Sequence, residues 1–214
     1  MINQEGAQDG AGRRAQILEA ALHVMAEHGF HGASIKRIAA RAGLKSPALI
    51  YWYFKDKQAL FDALLDNMAP FLALVADPEP LLDLPPDIVL PRLADGFLRT
   101  TSQPHVGRLV RLLLSESARH PAVASFFAER GPLVILNFLE RYLAHQAALG
   151  HLRPHDSAAA ARVFMGMLIV YLLGHELFPV IGKGFPPADD YAPTVVAIFL
   201  NGLQQAPSAA ATVR

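Results

Sequence analysis

Cysteine is absent from this chain, which excludes disulfides, thiolate metal sites and cysteine nucleophiles. Net charge is absent too, with nineteen Lys and Arg against nineteen Asp and Glu. The most apolar run, Val163 to Gly174, is twelve residues between Arg162 and His175. That is too short to span a bilayer, so it is expected as a buried core or interface helix, and no membrane partner is expected. The first twelve residues, MINQEGAQDGAG, lack the basic start and apolar run of a signal peptide and are expected as a disordered tail. There is no glycine-rich phosphate loop, no Gly-x-Ser-x-Gly and no His-Glu-x-x-His. Glu116 and His120 are one residue too far apart for a helical Glu-x-x-His ligand pair, and Pro154 separates His151 from His155. Neither an enzyme nor a metal or cofactor site is therefore expected.

What is present is ample material for a core: 52% of the residues are hydrophobic and 18% charged. The zero net charge hides an asymmetry. Residues 1–57 carry eight Lys and Arg against five Asp and Glu, a balance of +3, and the remainder carries −3. A basic head on a more acidic body is the electrostatic footprint of a modular nucleic-acid binder.

Helical periodicity runs through nearly the whole chain, with no convincing alternating strand. A first helix is expected over 13–28, closed by Gly29 with Phe30 as the apolar contact that follows. Ser34 caps a second helix whose inward stripe is Ile35, Ile38, Ala39 and Ala42, and Gly43 with Leu44 repeats the stop signal. Ser46 caps a third helix with Pro47 in its first turn. A fourth is expected from Asp56 to Ala76, then a proline-rich linker over 77–87. Later helices are expected at 88–102, 105–119, 122–148 (broken at Gly131-Pro132), 156–178 and 189–204. The fold class is therefore all-α. The expected division is a disordered tail over 1–12, a three-helix helix-turn-helix DNA-binding domain over 13–57, a larger helical-bundle ligand-binding and dimerisation domain over 58–206, and a frayed tail over 207–214.

Two short helices about a tight glycine turn are the parts of a helix-turn-helix. Three short amphipathic helices could also be one end of a plain bundle serving protein interaction, its basic charge incidental. Against that, the outward positions of helices two and three are basic or small: Lys36, Arg37, Arg41, Lys45, Pro47 and Ala48. The cluster Tyr51-Trp52-Tyr53-Phe54 also cannot face wholly inward on one helix.

This window resembles the DNA-binding domain of the TetR family of bacterial transcription regulators. The matching residues are Ile17-Leu18-x-Ala20-Ala21-Leu22, Gly29-Phe30, Ser34-Ile35-x-x-Ile38-Ala39-x-x-Ala42-Gly43, Ser46 through Phe54, Lys57 and Leu60-Phe61. The resemblance implies that Ser34, Tyr51 and Lys57 contact phosphates, which would fix register without reading sequence. It leaves base reading to Lys45, Ser46, Pro47, Ala48 and Trp52. One departure stands out: Ser46 follows Gly43 by three residues where the family's turn usually has two.

Farther on, Arg111-x-x-x-Ser115-Glu116-x-x-x-His120-Pro121, Phe126-Phe127 and Gly150-x-Leu152-Arg153-Pro154-x-Asp156 look like segments of one group of TetR C-terminal domains. Such domains are helical, pair as two-fold dimers through their last two long helices and enclose an apolar effector pocket. Segments 157–178 and 189–204, apolar on more than one face, suit that homodimer role. Candidate pocket residues are Phe97, Thr101, Arg108, Arg111, Phe126, Phe127, Asn137, Met165, Tyr171 and His175, each of which could equally be plain packing. The resemblance implies a cytoplasmic repressor that binds a palindromic double-stranded DNA operator and is released by a small-molecule effector.

Overall fold

The computed structural model describes residues 3–66, 69–119, 125, 127–129 and 131–204. Among these the chain is all-α, with no strand. Phe126, His120, Pro121 and the expected frayed tail 207–214 lie outside the described residues.

The chain forms two compact units: Met1–Ala69 with Gln103–Ala128, and Pro70–Ser102 with Glu129–Arg214. These do not follow the expected division at 57/58. The reason is packing: Leu60, Phe61, Leu64 and Leu65 share one apolar cluster with Ile17, Leu22 and Met25, and so do Leu109, Leu112 and Leu113 from much later in the chain.

In the N-terminal unit α1 spans Asn3–Gly32, starting well before the expected Arg13 and taking in most of the expected disordered tail. Gly6, Gly10 and Gly12 weaken this extension, but extending an existing helix needs no new nucleus. Gly29, at φ 72° and ψ 167°, interrupts α1 where the stop was expected. Phe30 then packs on Phe61, ring centroids 5.1 Å apart. Next come α2 (Ile35–Arg41), a 3-10 helix (Pro47–Trp52) and α3 (Lys57–Leu65), which Asp56 caps by accepting from the Ala59 N–H at 2.8 Å. The long α7 (Pro104–Arg119) packs along α1. On it Glu116, only 3% exposed, lies against Gly29, and its Oε2 has no hydrogen-bond partner among the described residues.

In the C-terminal unit the end of the expected fourth helix is taken up by α4 (Ala69–Leu72) and a 3-10 turn (Ala73–Val75). The expected proline-rich linker contains a short α5 (Glu79–Leu82) with Leu82 buried. Three long helices follow the periodicity: α6 (Pro86–Thr101), α8 (Pro132–Ala148), which starts at the expected break, and α9 (Ser157–Glu176). A four-residue helix, α10 (Pro179–Gly182), precedes α11 (Ala188–Leu203). The segment around α5 is held by α8. Gln146, fully buried, donates to the carbonyls of Leu82 (2.6 Å) and Leu84 (3.1 Å), and the Tyr142 hydroxyl also donates to Leu84 (2.7 Å). Burial, then the nearby Asp87, pushes the Tyr142 phenol well above its ordinary range.

Helix α9 has twenty residues and a mean hydropathy of 1.7, so by length and composition alone it could cross a bilayer. Here Ala161, Phe164, Met165, Leu168, Tyr171 and Leu172 are buried as it packs on α8 and α11. Val163, Ile169 and Val170 on α9 remain exposed, as does Ile198 on α11.

Candidate nucleic-acid interface

The site is built from its caps. Ser34 is extended, and its Oγ accepts from the Arg37 N–H at 3.3 Å, starting α2. Arg37 Nη1 reaches back to the Gly32 carbonyl at 3.1 Å. At the other end the Leu44 N–H bonds to the Ala39 carbonyl (2.9 Å) and the Gly43 N–H to that of Ala40 (3.2 Å), with Gly43 at φ 64°. This paired closure satisfies the last free carbonyls and requires a left-handed residue. The longer turn is accommodated by placing Leu44 inward against the core and Lys45 outward. Ser46 then accepts at Oγ from the Ala48 N–H at 3.2 Å.

The expected third α-helix is instead a six-residue 3-10 helix. The Leu49 N–H reaches Ser46 O, three residues back, at 3.2 Å. Aromatic and β-branched residues at 50–53 gain little from an α-helix. In a 3-10 helix side chains three apart eclipse, so Ala48 lines up with Tyr51, and Leu49 with Trp52. Ile50 is fully buried and anchors the segment, leaving Tyr51 54% and Trp52 81% exposed. An outward aromatic pair beside a small-residue start is a surface that can enter a groove.

Ser34, Lys36, Arg37, Lys45, Pro47, Ala48, Tyr51 and Trp52 are all exposed, and Ser46 is half-buried. Lys45 and Trp52 also line a shallow cleft of about 240 Å³ with Arg13 and Tyr53. Arg13 was not among the expected contacts; the adjacent Arg13-Arg14 pair was the available signal. Arg14 itself stacks over the Phe54 ring at 5.1 Å.

Lys57, expected at a phosphate, makes contacts within the chain. Its Nζ donates to the carbonyls of Phe30 (2.7 Å), Ala33 (3.0 Å) and His31 (3.4 Å), and lies 4.6 Å from the Phe30 ring centre. An ammonium has three donors, and here all three tie the end of α1 to α3. These contacts make Lys57 a positioning residue for the helix-turn-helix.

The ten candidate pocket residues divide between the units. Arg108, Arg111 and Phe127 belong to the N-terminal unit, where Phe127 packs on the core. Phe97, Thr101, Asn137, Met165, Tyr171 and His175 belong to the C-terminal unit. Phe97 packs on Phe71 (5.4 Å), and the Thr101 hydroxyl donates to the Phe97 carbonyl (2.8 Å). Met165 and Tyr171 are buried, with the Tyr171 hydroxyl donating to Pro186 O at 3.3 Å, while Asn137 is exposed. His175 is exposed and donates from Nδ1 to the Tyr171 carbonyl at 2.9 Å. A groove of about 430 Å³ between α6 and α11, flanked by Asp95, Arg99 and Asp189, was missed, because its polar residues look like an ordinary solvated face in sequence. Among the described residues no group of three or more His, Asp or Glu is placed to hold a metal.

Comparison with known proteins agrees with this architecture. Residues 17–64 match the family described as bacterial regulatory proteins, tetR family, and residues 88–202 match the AefR-like transcriptional repressor, C-terminal domain. The class C tetracycline repressor protein of Escherichia coli is 41% identical over 56 residues, 26% of this chain and 25% of that protein. The transcriptional repressor AcnR of Corynebacterium diphtheriae is 38% identical over 77 residues, 36% of this chain and 40% of that protein. The chain thus matches a quarter and two-fifths of these relatives' lengths. The SmeT–triclosan complex, SmeT being the repressor of a Stenotrophomonas maltophilia multidrug efflux pump, superposes with a TM-score of 0.67. It is 21% identical and covers 91% of this chain and 92% of SmeT, a likeness of fold. With a C-terminal match spanning more than half of the sequence and a helix-turn-helix match before it, the chain belongs to the TetR family of transcriptional regulators, which are not enzymes.

Proposed function

We propose that this chain is a cytoplasmic transcriptional repressor that binds a palindromic operator as a homodimer and releases it when a small apolar or amphipathic effector binds. The observation that carries this reading is the outward edge Lys45–Trp52, capped at Ser46 and presenting Ala48, Tyr51 and Trp52 to solvent. Ser34 and Tyr51 would hold phosphates. Lys45 would donate to guanine acceptors, and Pro47 and Ala48 would approach thymine methyls.

The exposed apolar residues of α9 and α11 support pairing through those helices. A two-fold dimer would set its reading heads one DNA turn, about 34–36 Å, apart. The triclosan complex of SmeT supports a small apolar effector. An effector shifts the equilibrium only as far as it binds the two states differently.

The test is to select fragments from genomic DNA with the purified full chain and footprint those retained. Protection of two inverted half-sites about one turn apart is expected. Retention without sequence preference, or protection of a single unrepeated site, would contradict the reading.

A further inference from the structure

The N-terminal unit holds a second feature that DNA reading does not use. Between α1, α3 and the start of α7 lies a cavity of about 380 Å³, within the range of small-molecule sites, roughly 300–1,000 Å³. Leu18, Leu22 and Leu64 form an apolar floor and belong to the core. Glu19, His105 and Arg108 supply the polar lining. None of these residues belongs to the DNA-facing edge.

Arg108 is the informative member. Its Nε is buried without a hydrogen-bond partner, and the side chain makes no ion pair among the described residues. The half-buried side chain lines the cavity with no acceptor or counter-charge of its own among the described residues, so the rest of its guanidinium is open to an anion that enters. A guanidinium presents parallel donors that match a carboxylate. The first turn of the sixteen-residue α7, where His105 stands, adds the positive end of a helix dipole. Glu19 is exposed and of the ligand's own sign, which disfavours multiply charged anions.

We propose that this cavity binds a small amphipathic monocarboxylate, its carboxylate on Arg108 and its apolar tail on Leu18, Leu22 and Leu64. The site lies in the unit that carries the helix-turn-helix, apart from any effector site in the C-terminal unit, and its occupant would join α1 and α3 to α7. Ligand supply would then bear directly on the geometry of the reading head.

Octanoate is the probe, with octanol and octylamine as neutral and cationic matches, titrated into full-length protein carrying labelled leucine methyls. Octanoate should shift the Leu18, Leu22 and Leu64 methyls saturably, and octanol about tenfold more weakly, the loss of a charge-assisted bond. Arg108→Gln should weaken octanoate about tenfold as well. Glu19→Gln, an exposed change that leaves the core intact, should strengthen it about two- to threefold. Equal octanoate affinity in wild type and Arg108→Gln would overturn the proposal. So would shifts confined to leucines of the C-terminal unit, equal binding of octanol, or no shift at millimolar octanoate.

Discussion

Lys57 can clamp the chain to itself or to a phosphate, and a stability measurement separates the two. Three carbonyls from the end of α1 surround its ammonium. Hydrogen bonds to a charged group contribute more than neutral ones, so Lys57→Met should lower unfolding free energy by about 2 kcal/mol in urea denaturation. A residue serving only as a phosphate contact would leave stability unchanged and reduce DNA affinity alone. Two glycines make a paired test. Gly43, at φ 64°, has open space where a Cβ would go, so Gly43→Ala carries only the backbone cost, about 1–2 kcal/mol. At Gly29, φ 72°, an added Cβ would stand 2.7 Å from Glu116 Oε1, and Glu116 is too buried to retreat freely. Gly29→Ala should therefore cost more than Gly43→Ala, about 2–3 kcal/mol. Coincident denaturation midpoints would contradict that account.

At the scale of elements, what could be read from sequence was what is decided locally. Ser34, Gly43, Ser46 and Pro47 act on groups within five residues of themselves, and each cap or stop stands where its residue type implies. The periodic stripe of α6, from Val89 through Phe97 to Thr101, was legible for the same reason. The 3-10 form of Pro47–Trp52 was not, because it depends on how a lengthened turn seats Leu44 and Ile50 in the core. Nor was the joining of α7 to α1, which brings Leu112 to Ile17 across most of a hundred residues. The segment 77–87 read as a linker because its anchors, Tyr142 and Gln146, lie about sixty residues away in sequence. Gln146→Met keeps the volume but leaves the Leu82 and Leu84 carbonyls without that donor. It should destabilise the chain by about 1–3 kcal/mol, measured by calorimetric unfolding. A neutral result would mean that water replaces the amide at no cost.

At the scale of the whole molecule, the proposed dimer would pair through the exposed apolar faces of α9 and α11. Val170→Asp and Ile198→Asp change exposed apolar positions, so the fold should persist while pairing is lost. Sedimentation should then give twice the chain mass for wild type and one chain mass for the double variant at micromolar concentration. A wild-type monomer would remove the basis for a palindromic operator. The central claim, that the edge bearing Trp52 lies against DNA, has a built-in reporter, because Trp52 is the chain's single tryptophan. Its emission should be titrated with a footprinted fragment and with a scrambled one across a salt series. The account predicts a saturable change with the footprinted fragment. Its affinity should fall about a thousandfold or more between about 50 and 200 mM salt for about six phosphate contacts. Retention of the fragment with unchanged Trp52 emission, or with an affinity indifferent to salt, would contradict it.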